Sequence, residues 1–319
     1  MAERPPKPTR TLQEDVYLYQ AIVSDLRAGG AYYDVVGKEL RSRGYAVRPV
    51  FNWREPLLYR AMAALPWWAV RSTIVALTIL LVLYVIVYPY PRLTPLFLAH
   101  GLIGVAAISP LYFTEFWAGA CLALSAVTLG ARRIIEGVSW AILALAIREL
   151  AAPYCVVMTL YAAWRRDWHE VRAWIAGALV FAIYYGWHAS NAMPHILPSD
   201  RAHEESWLYF GGVVFLLRVI QVTGLLFFLP APVFAFVIVF LTAGWWANRM
   251  PMPVRLAVVT YAVFFTCVGQ PFDVYWGYLI APLLALWGAY APQGIQVLLA
   301  RPSAAGTCLR EESQSSYSG

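Results

Sequence analysis

The sequence predicts an all-α, polytopic membrane protein, and three observations carry that expectation. The 319 residues are 61% hydrophobic and only 13% charged, against roughly 45–50% and about 25% in soluble domains. Charge-free intervals repeatedly approach the roughly 20 residues that a membrane-spanning helix needs. The 14 Trp and 20 Tyr suit the aromatic belts of a lipid-embedded chain. A single water-soluble globule is at odds with this composition.

The charges divide the chain. Arg71 to Arg92, Arg92 to Glu115 and Glu115 to Arg132 enclose three consecutive apolar runs. Arg172 to Asp200, Arg218 to Arg249, Arg255 to Asp273 and Asp273 to Arg301 enclose four more. The expectation is about seven transmembrane helices in a domain over 72–300. One interval, 137–164, is apolar yet carries Arg148 and Glu149 near its middle and arginine pairs at both ends, Arg132-Arg133 and Arg165-Arg166. Two basic flanks cannot both face the cytoplasm if one helix crosses between them. The interval therefore reads as a re-entrant hairpin of two half-helices. An arginine at membrane depth needs a partner or a site, and its alternative use is an Arg148–Glu149 ion pair that locks helices together.

Net charge is +6, carried almost wholly by arginine, with Lys7 and Lys38 the lysines. No basic run with interleaved aromatics resembles a nucleic-acid footprint, so no nucleic-acid partner is expected. Arg92, Arg132, Arg133, Arg165, Arg166, Arg249, Arg255, Arg301 and Arg310 fall on one face, which the positive-inside rule makes cytoplasmic along with the C-terminus. Glu115, an outer loop over 188–223 and the turn at 270–277 then lie outside. The four cysteines have neither CxxC nor metal-ligand spacing, so disulfides and structural zinc are not expected.

Residues 1–13 read as a flexible tail, 14–71 as an outer-face loop with amphipathic surface helices, and 301–319 as a disordered cytoplasmic tail. Val16, Tyr19, Ile22, Val23 and Leu26 recur at helical spacing, Gly29-Gly30 ends that helix, and Val35, Val36 and Leu40 stripe a second. Arg48 to Pro56 reads as an extended connector, and Leu57 to Leu65 as a short helix leading to Pro66-Trp67-Trp68. These helices are expected to lie on the membrane surface. The 1–71 segment nevertheless holds eleven Lys and Arg on the side where they are least expected, which suggests an absent upstream helix.

The order of an acidic pair opening an outer segment, an outer acid between spans and a charged re-entrant hairpin resembles the GT-C superfamily of integral-membrane glycosyltransferases. The stretches EDVYLYQAIVSDLRAGGAYY, RPVFNWREPLL, AIRELAAPY and FDVYWGYLIAP carry the resemblance, which spans roughly residues 14–295. It implies transfer of a sugar from a polyprenyl-phosphate donor to a cell-envelope glycan, lipid or protein, on the outer face of a bacterial inner membrane. It further implies that Glu14 and Asp15 form the acidic motif of the first outer loop, with a carboxylate as general base or as a holder of donor or metal. Glu115 becomes a second outer carboxylate, and Arg148, beside Glu149, faces the leaving phosphate. Such sites are compatible with a divalent metal, Mg or Mn, or with none. In the superfamily the acidic motif follows a first transmembrane helix, whereas thirteen polar residues precede it here.

Each candidate has a plainer alternative. Glu14 and Asp15 suit a helix N-terminus, where acids meet the positive dipole end. Glu115 suits an interfacial helix end. Arg54 can contact phosphate or sugar, or form a surface pair with Glu55. Asp273, Tyr275 and Trp276 can stack on a sugar, or merely mark an interface. His188, His195 and His203 share a polar loop with acids but match no metal motif. The rival functions are a transporter or lipid flippase using Arg148-Glu149 as a midplane site, and a non-catalytic membrane assembly subunit. The orientation is checked by labelling a cysteine placed at Ser199: reagent from outside should reach it, and labelling only from the cytoplasm would invert the topology.

Overall fold

The computed structural model describes residues 12–101, 109–202, 210–270 and 272–300. Among them the chain is helical with no strand; an isolated parallel bridge joins Arg48 to Ala202. Three helices come first: α1 (Leu12–Arg27), α2 (Tyr32–Ser42) and α3 (Pro56–Ala64). Gly29 turns the chain between α1 and α2 with φ +94°, a conformation that glycine adopts freely. The apolar stripes of these helices face protein. Val16, Tyr19, Ile22 and Val23 of α1 and Val35, Val36 and Leu40 of α2 are all buried. The stripe caps one end of the helical body, so the apolar face of these helices is turned to protein. The 1–13 tail is also shortened, since α1 begins at Leu12; residues 1–11 and 301–319 lie outside the described residues.

Eleven further helices follow: α4 (Trp67–Val87), α5 (Thr94–Gly101), α6 (Thr114–Gly130), α7 (Ile134–Ile147), α8 (Ala152–Trp164), α9 (Trp168–Ala192), α10 (Gly212–Gln221), α11 (Ala231–Ala243), α12 (Met252–Cys267), α13 (Gly277–Gly288) and α14 (Ala291–Ala300). At the centre is α6, buried at every residue from Thr114 to Leu129 and packed against α4, α7, α12 and α13. Gly119 lets α13 approach: a Cβ there would stand 2.6 Å from the Leu279 carbonyl oxygen and 2.7 Å from that of Tyr278.

Seven unbroken spanning helices are not found among the described residues. Among the described residues α4 is the helix long and apolar enough to cross a bilayer by itself, and Asp273–Gly288 with Ala291–Ala300 meets that measure only as a pair bent by 42°. A charge-free interval measures an apolar run, not an unbroken helix. The run from Arg218 to Arg249 is divided by the 3-10 turn Gly224–Phe228 and by Pro230 into α10 and α11. The run from Arg92 to Glu115 holds α5 and a 3-10 turn at Ser109–Tyr112, and 102–108 lies outside the described residues. The expected outer loop 188–223 is partly helix, because α9 continues to Ala192 and α10 occupies Gly212–Gln221; residues 203–209 are not described.

Arg148–Ala151 separates α7 from α8. Arg132, just before α7, donates to Asp167, just after α8, at 3.2 Å. Both outer ends of this hairpin therefore meet at one end of the body while the break points to the other. The helix α4 measures the distance between those ends. Trp67 packs against Tyr112 and under Arg27 at the capped end, whereas Tyr88, just past its last turn, accepts a hydrogen bond from Arg133 at the end where Arg132 meets Asp167, the corner end. Its 21 residues at 1.5 Å each rise about 31 Å, close to the hydrocarbon thickness of a bilayer.

Replacing Gly119 with alanine should lower stability by about 1–3 kcal/mol through overpacking at the α6–α13 contact. Gly186→Ala, where a Cβ meets nothing within 4 Å, should be neutral or stabilising. Thermal unfolding of both variants in one detergent checks the contrast.

Candidate functional site

The break between α7 and α8 carries Arg148 to the first turn of α6. Its Nε donates to Glu115 at 2.6 Å, and its Nη1 donates to the adjacent Glu149. Arg148 and Glu115 are each 1% exposed, a burial that a charged group tolerates only when paired. Thr114 adds a donor to the second Glu115 oxygen at 3.2 Å.

Arg54 reaches this pair from the capped end. Its guanidinium stands 3.9 Å from Glu115 and 3.7 Å from Glu149, and donates to the hydroxyls of Tyr19 at 3.1 Å and Tyr275 at 3.2 Å. The connector that carries Arg54 is fixed along its length. Tyr32 donates to the Arg54 carbonyl at 2.6 Å, the Trp53 indole to the Val47 carbonyl at 3.0 Å, and a His188 ring nitrogen meets the Trp53 carbonyl at 3.1 Å. From the other side, Tyr275 donates to Asp273 at 3.3 Å, and the second Asp273 oxygen accepts the Gln270 N–H at 3.1 Å. Burial pushes the Tyr19 phenol up to about 12, which keeps it a neutral partner of Arg54.

A cavity of about 70 Å³ lies beside the cluster, with Asp15, Tyr19, Tyr45, Arg54, Asp273 and Tyr275 in its wall. Tyr45 donates to Asp15 at 2.7 Å. The residues singled out in the sequence thus form two layers. Asp15, Arg54, Asp273 and Tyr275 line the cavity, while Glu115, Arg148 and Glu149 stand behind Arg54 as an ion-paired support. Two placements differ from expectation. Glu14 is on the exposed side of α1, one helical step from Asp15, and does not line the cavity. Arg148 is committed to two carboxylates and does not line it either; the guanidinium that does is Arg54.

Glu55 is the residue that sequence reasoning missed. Its place beside Arg54 suggests half of a surface pair, yet it is 1% exposed. It occupies the N-cap position of α3 without capping it, because its side chain turns inward. No N–H or O–H of the described residues donates to either carboxyl oxygen. Burial, reinforced by the nearby Glu149 carboxylate, holds its carboxyl well above the usual range, so that Glu55 is a neutral acid able to donate toward Glu149. The crowding of Trp, Arg and Pro around it was the one hint in the sequence.

His188 belongs to α9 rather than to a loop, is fully buried, and shares its other ring nitrogen with the Tyr33 hydroxyl at 3.2 Å. His195 faces Asp34 at 3.2 Å, and His203 lies outside the described residues. No group of three or more His, Cys, Asp or Glu among the described residues is placed to hold a metal ion. Asp15 and Asp273 accept hydrogen bonds from Tyr45, Tyr275 and Gln270.

The Glu55 environment sets a pH dependence. Its folded pKa lies above the unfolded value of 4.5, so its contribution is full below that value and is lost as pH rises through the folded value. Glu55→Gln copies the neutral acid and should flatten the fall in stability expected of the wild type as pH rises from 4.5 toward the folded value. Equal pH slopes for the two proteins in denaturant titrations would contradict the neutral assignment. Comparison with family models, with curated proteins and with solved structures gives no match to this chain.

Proposed function

We propose that the chain is a polytopic membrane glycosyltransferase that takes a sugar from a polyprenyl-phosphate donor on the extracytoplasmic side of a bacterial inner membrane. One observation carries the reading: segments far apart in sequence bring Asp15, Arg54, Asp273 and Tyr275 to a single cavity with carboxylate, guanidinium and aromatic walls.

The chemistry assigns a role to each. The acceptor O–H attacks the anomeric carbon, its proton passes to Asp15, and the bond between that carbon and the phosphate oxygen breaks. The phosphate leaves as an anion beside Arg54, whose planar N–H groups suit its oxygens. Arg148, Glu115 and Glu149 act through Arg54 by holding it in place, and Tyr275 offers a ring face and a hydroxyl to the sugar. The membrane reading rests on the exterior. Only 22% of the apolar window of α4 is buried, and Leu83, Ile86, Val180, Ile183, Phe236 and Val239 are exposed on three helices. An apolar groove of about 510 Å³ along α13, walled by Leu96, Phe97, Leu226, Phe240 and Leu284, suits an isoprenoid chain.

The size of the polar cavity favours a second reading. At about 70 Å³ it is smaller than the roughly 300–1,000 Å³ of ordinary ligand pockets, as a non-catalytic assembly subunit of this architecture would have it. Proteoliposomes supplied with labelled polyprenyl-phosphate hexoses and pentoses separate the two. Transfer should fall at least about 100-fold in Asp15→Asn, the usual scale for losing a general base, and comparably in Arg54→Ala, with Glu14→Gln close to wild type. Undiminished transfer by Asp15→Asn, or turnover of no donor by the wild type, would remove the catalytic reading.

A further inference from the structure

At the end of the body opposite the cavity, α6 and α8 stop in the same way. The Arg133 N–H reaches the Thr128 carbonyl at 2.9 Å and the Asp167 N–H reaches that of Ala162 at 3.0 Å; inside each, Arg132 and Arg166 close on Leu129 and Ala163 at 2.9 Å. These paired bonds are the Schellman ending, whose left-handed residue is usually glycine. Here it is arginine both times, with φ 63° at Arg132 and 58° at Arg166. A Cβ is crowded in that backbone, so both corners keep a charged side chain at a position that disfavours any side chain.

Between the corners lies a cavity of about 180 Å³, walled by Arg132, Tyr161, Arg165, Glu170 and the Pro251–Pro253 start of α12. Its acids are already engaged: Glu170 accepts from Arg165 Nη2, and Asp167 from Arg132 at 3.2 Å. Arg165 Nε is buried with no partner among the described residues, and a buried N–H calls for an acceptor. Arg133 pairs with Glu136, and Arg166 is exposed. Over the two corners together, Arg132, Arg133, Arg165 and Arg166 stand against Glu136, Asp167 and Glu170, so the surplus is positive. Exposed indoles flank the α8–α9 corner: Trp164 is 79% and Trp168 61% exposed.

We infer that the α6–α7 and α8–α9 corners form a socket for the phosphate of an anionic phospholipid headgroup, gripped by Arg132 and Arg165 in its wall, with the exposed Arg166 adding positive charge at the adjoining corner. Guanidinium groups offer fork geometry to phosphate oxygens, and basic pockets at the end of a transmembrane body attract anionic lipid. The flanking indoles and the apolar surface running away from the socket select a headgroup with acyl chains over free phosphate. The inference rests on the membrane reading of the chain and not on sugar transfer.

The test uses the full chain in phosphatidylcholine nanodiscs doped with phosphatidylglycerol, with retained lipid counted by native mass spectrometry. Wild type should retain phosphatidylglycerol over phosphatidylcholine. The Arg132→Gly/Arg166→Gly variant, whose glycines suit the left-handed backbone, should unfold no earlier in pure phosphatidylcholine yet bind phosphatidylglycerol more weakly by about fivefold per arginine removed. Arg165→Gln should weaken retention alone, and Arg43→Gln, at the capped end, should not. Unchanged retention in the double glycine variant would overturn the socket, and so would displacement of the lipid by millimolar inorganic phosphate, which would identify a free-phosphate site. Failure of the chain to enter discs would overturn the membrane reading and the socket together, whereas entry without lipid preference overturns the socket alone.

Discussion

The buried guanidinium of Arg148 is the constraint on which the rest of the structure depends. It sits where two short helices break, in a position that neither lipid nor an apolar core tolerates unless its charge is matched. Glu115 supplies the match from the first turn of α6, at 2.6 Å, and Glu149 supplies it from the break itself. Because α6 is buried along almost its whole length, its first turn is a rigid anchor. The hairpin is thereby pinned to the centre of the molecule at one level, and that level is where Arg54, carried in by the connector before α3, meets the same two carboxylates. Two arginines and two glutamates balance, with Glu55 neutral beside them. The cavity-lining groups are thus oriented by charges that never reach the cavity.

That arrangement divides the molecule into two ends with different chemistry. The capped end gathers amphipathic helices, tyrosines and carboxylates around Arg54. The corner end gathers arginines and exposed indoles. Between them α4 runs a distance close to that of a bilayer core, with most of its apolar surface facing outward. The polarity is built from local rules, because helix ends are where unsatisfied carbonyls, left-handed residues and charges collect.

The part of this legible in the sequence was the part written as charge against an apolar background. Arg148 and Glu149 interrupting a 28-residue apolar run, with arginine pairs on both sides, located the break between α7 and α8. The stripe through Val16, Tyr19, Ile22 and Val23 located α1, and its phase already contained the distinction between Asp15, on the buried side, and Glu14, on the exposed one. What the sequence hid was long-range. Nothing local tells that Arg54 lies within 4 Å of Glu115, or that Glu55 follows it into the interior instead of capping α3. Helix length was hidden for another reason: proline and glycine at positions such as Pro230 and Gly224 divide apolar runs without adding charge, so counting between charges overstated the length of single helices.

The Arg148–Glu115 pair supports the site, and the most direct test of that role is the stability of Arg148→Met, of Glu115→Gln, and of the two combined, measured by denaturant unfolding in one detergent. Each single variant strands a buried charge and should lose about 3–5 kcal/mol. The combined variant leaves Arg54 facing Glu149 in balance and should recover most of that loss. Single variants as stable as wild type, or a combined variant that simply adds the two losses, would contradict the account.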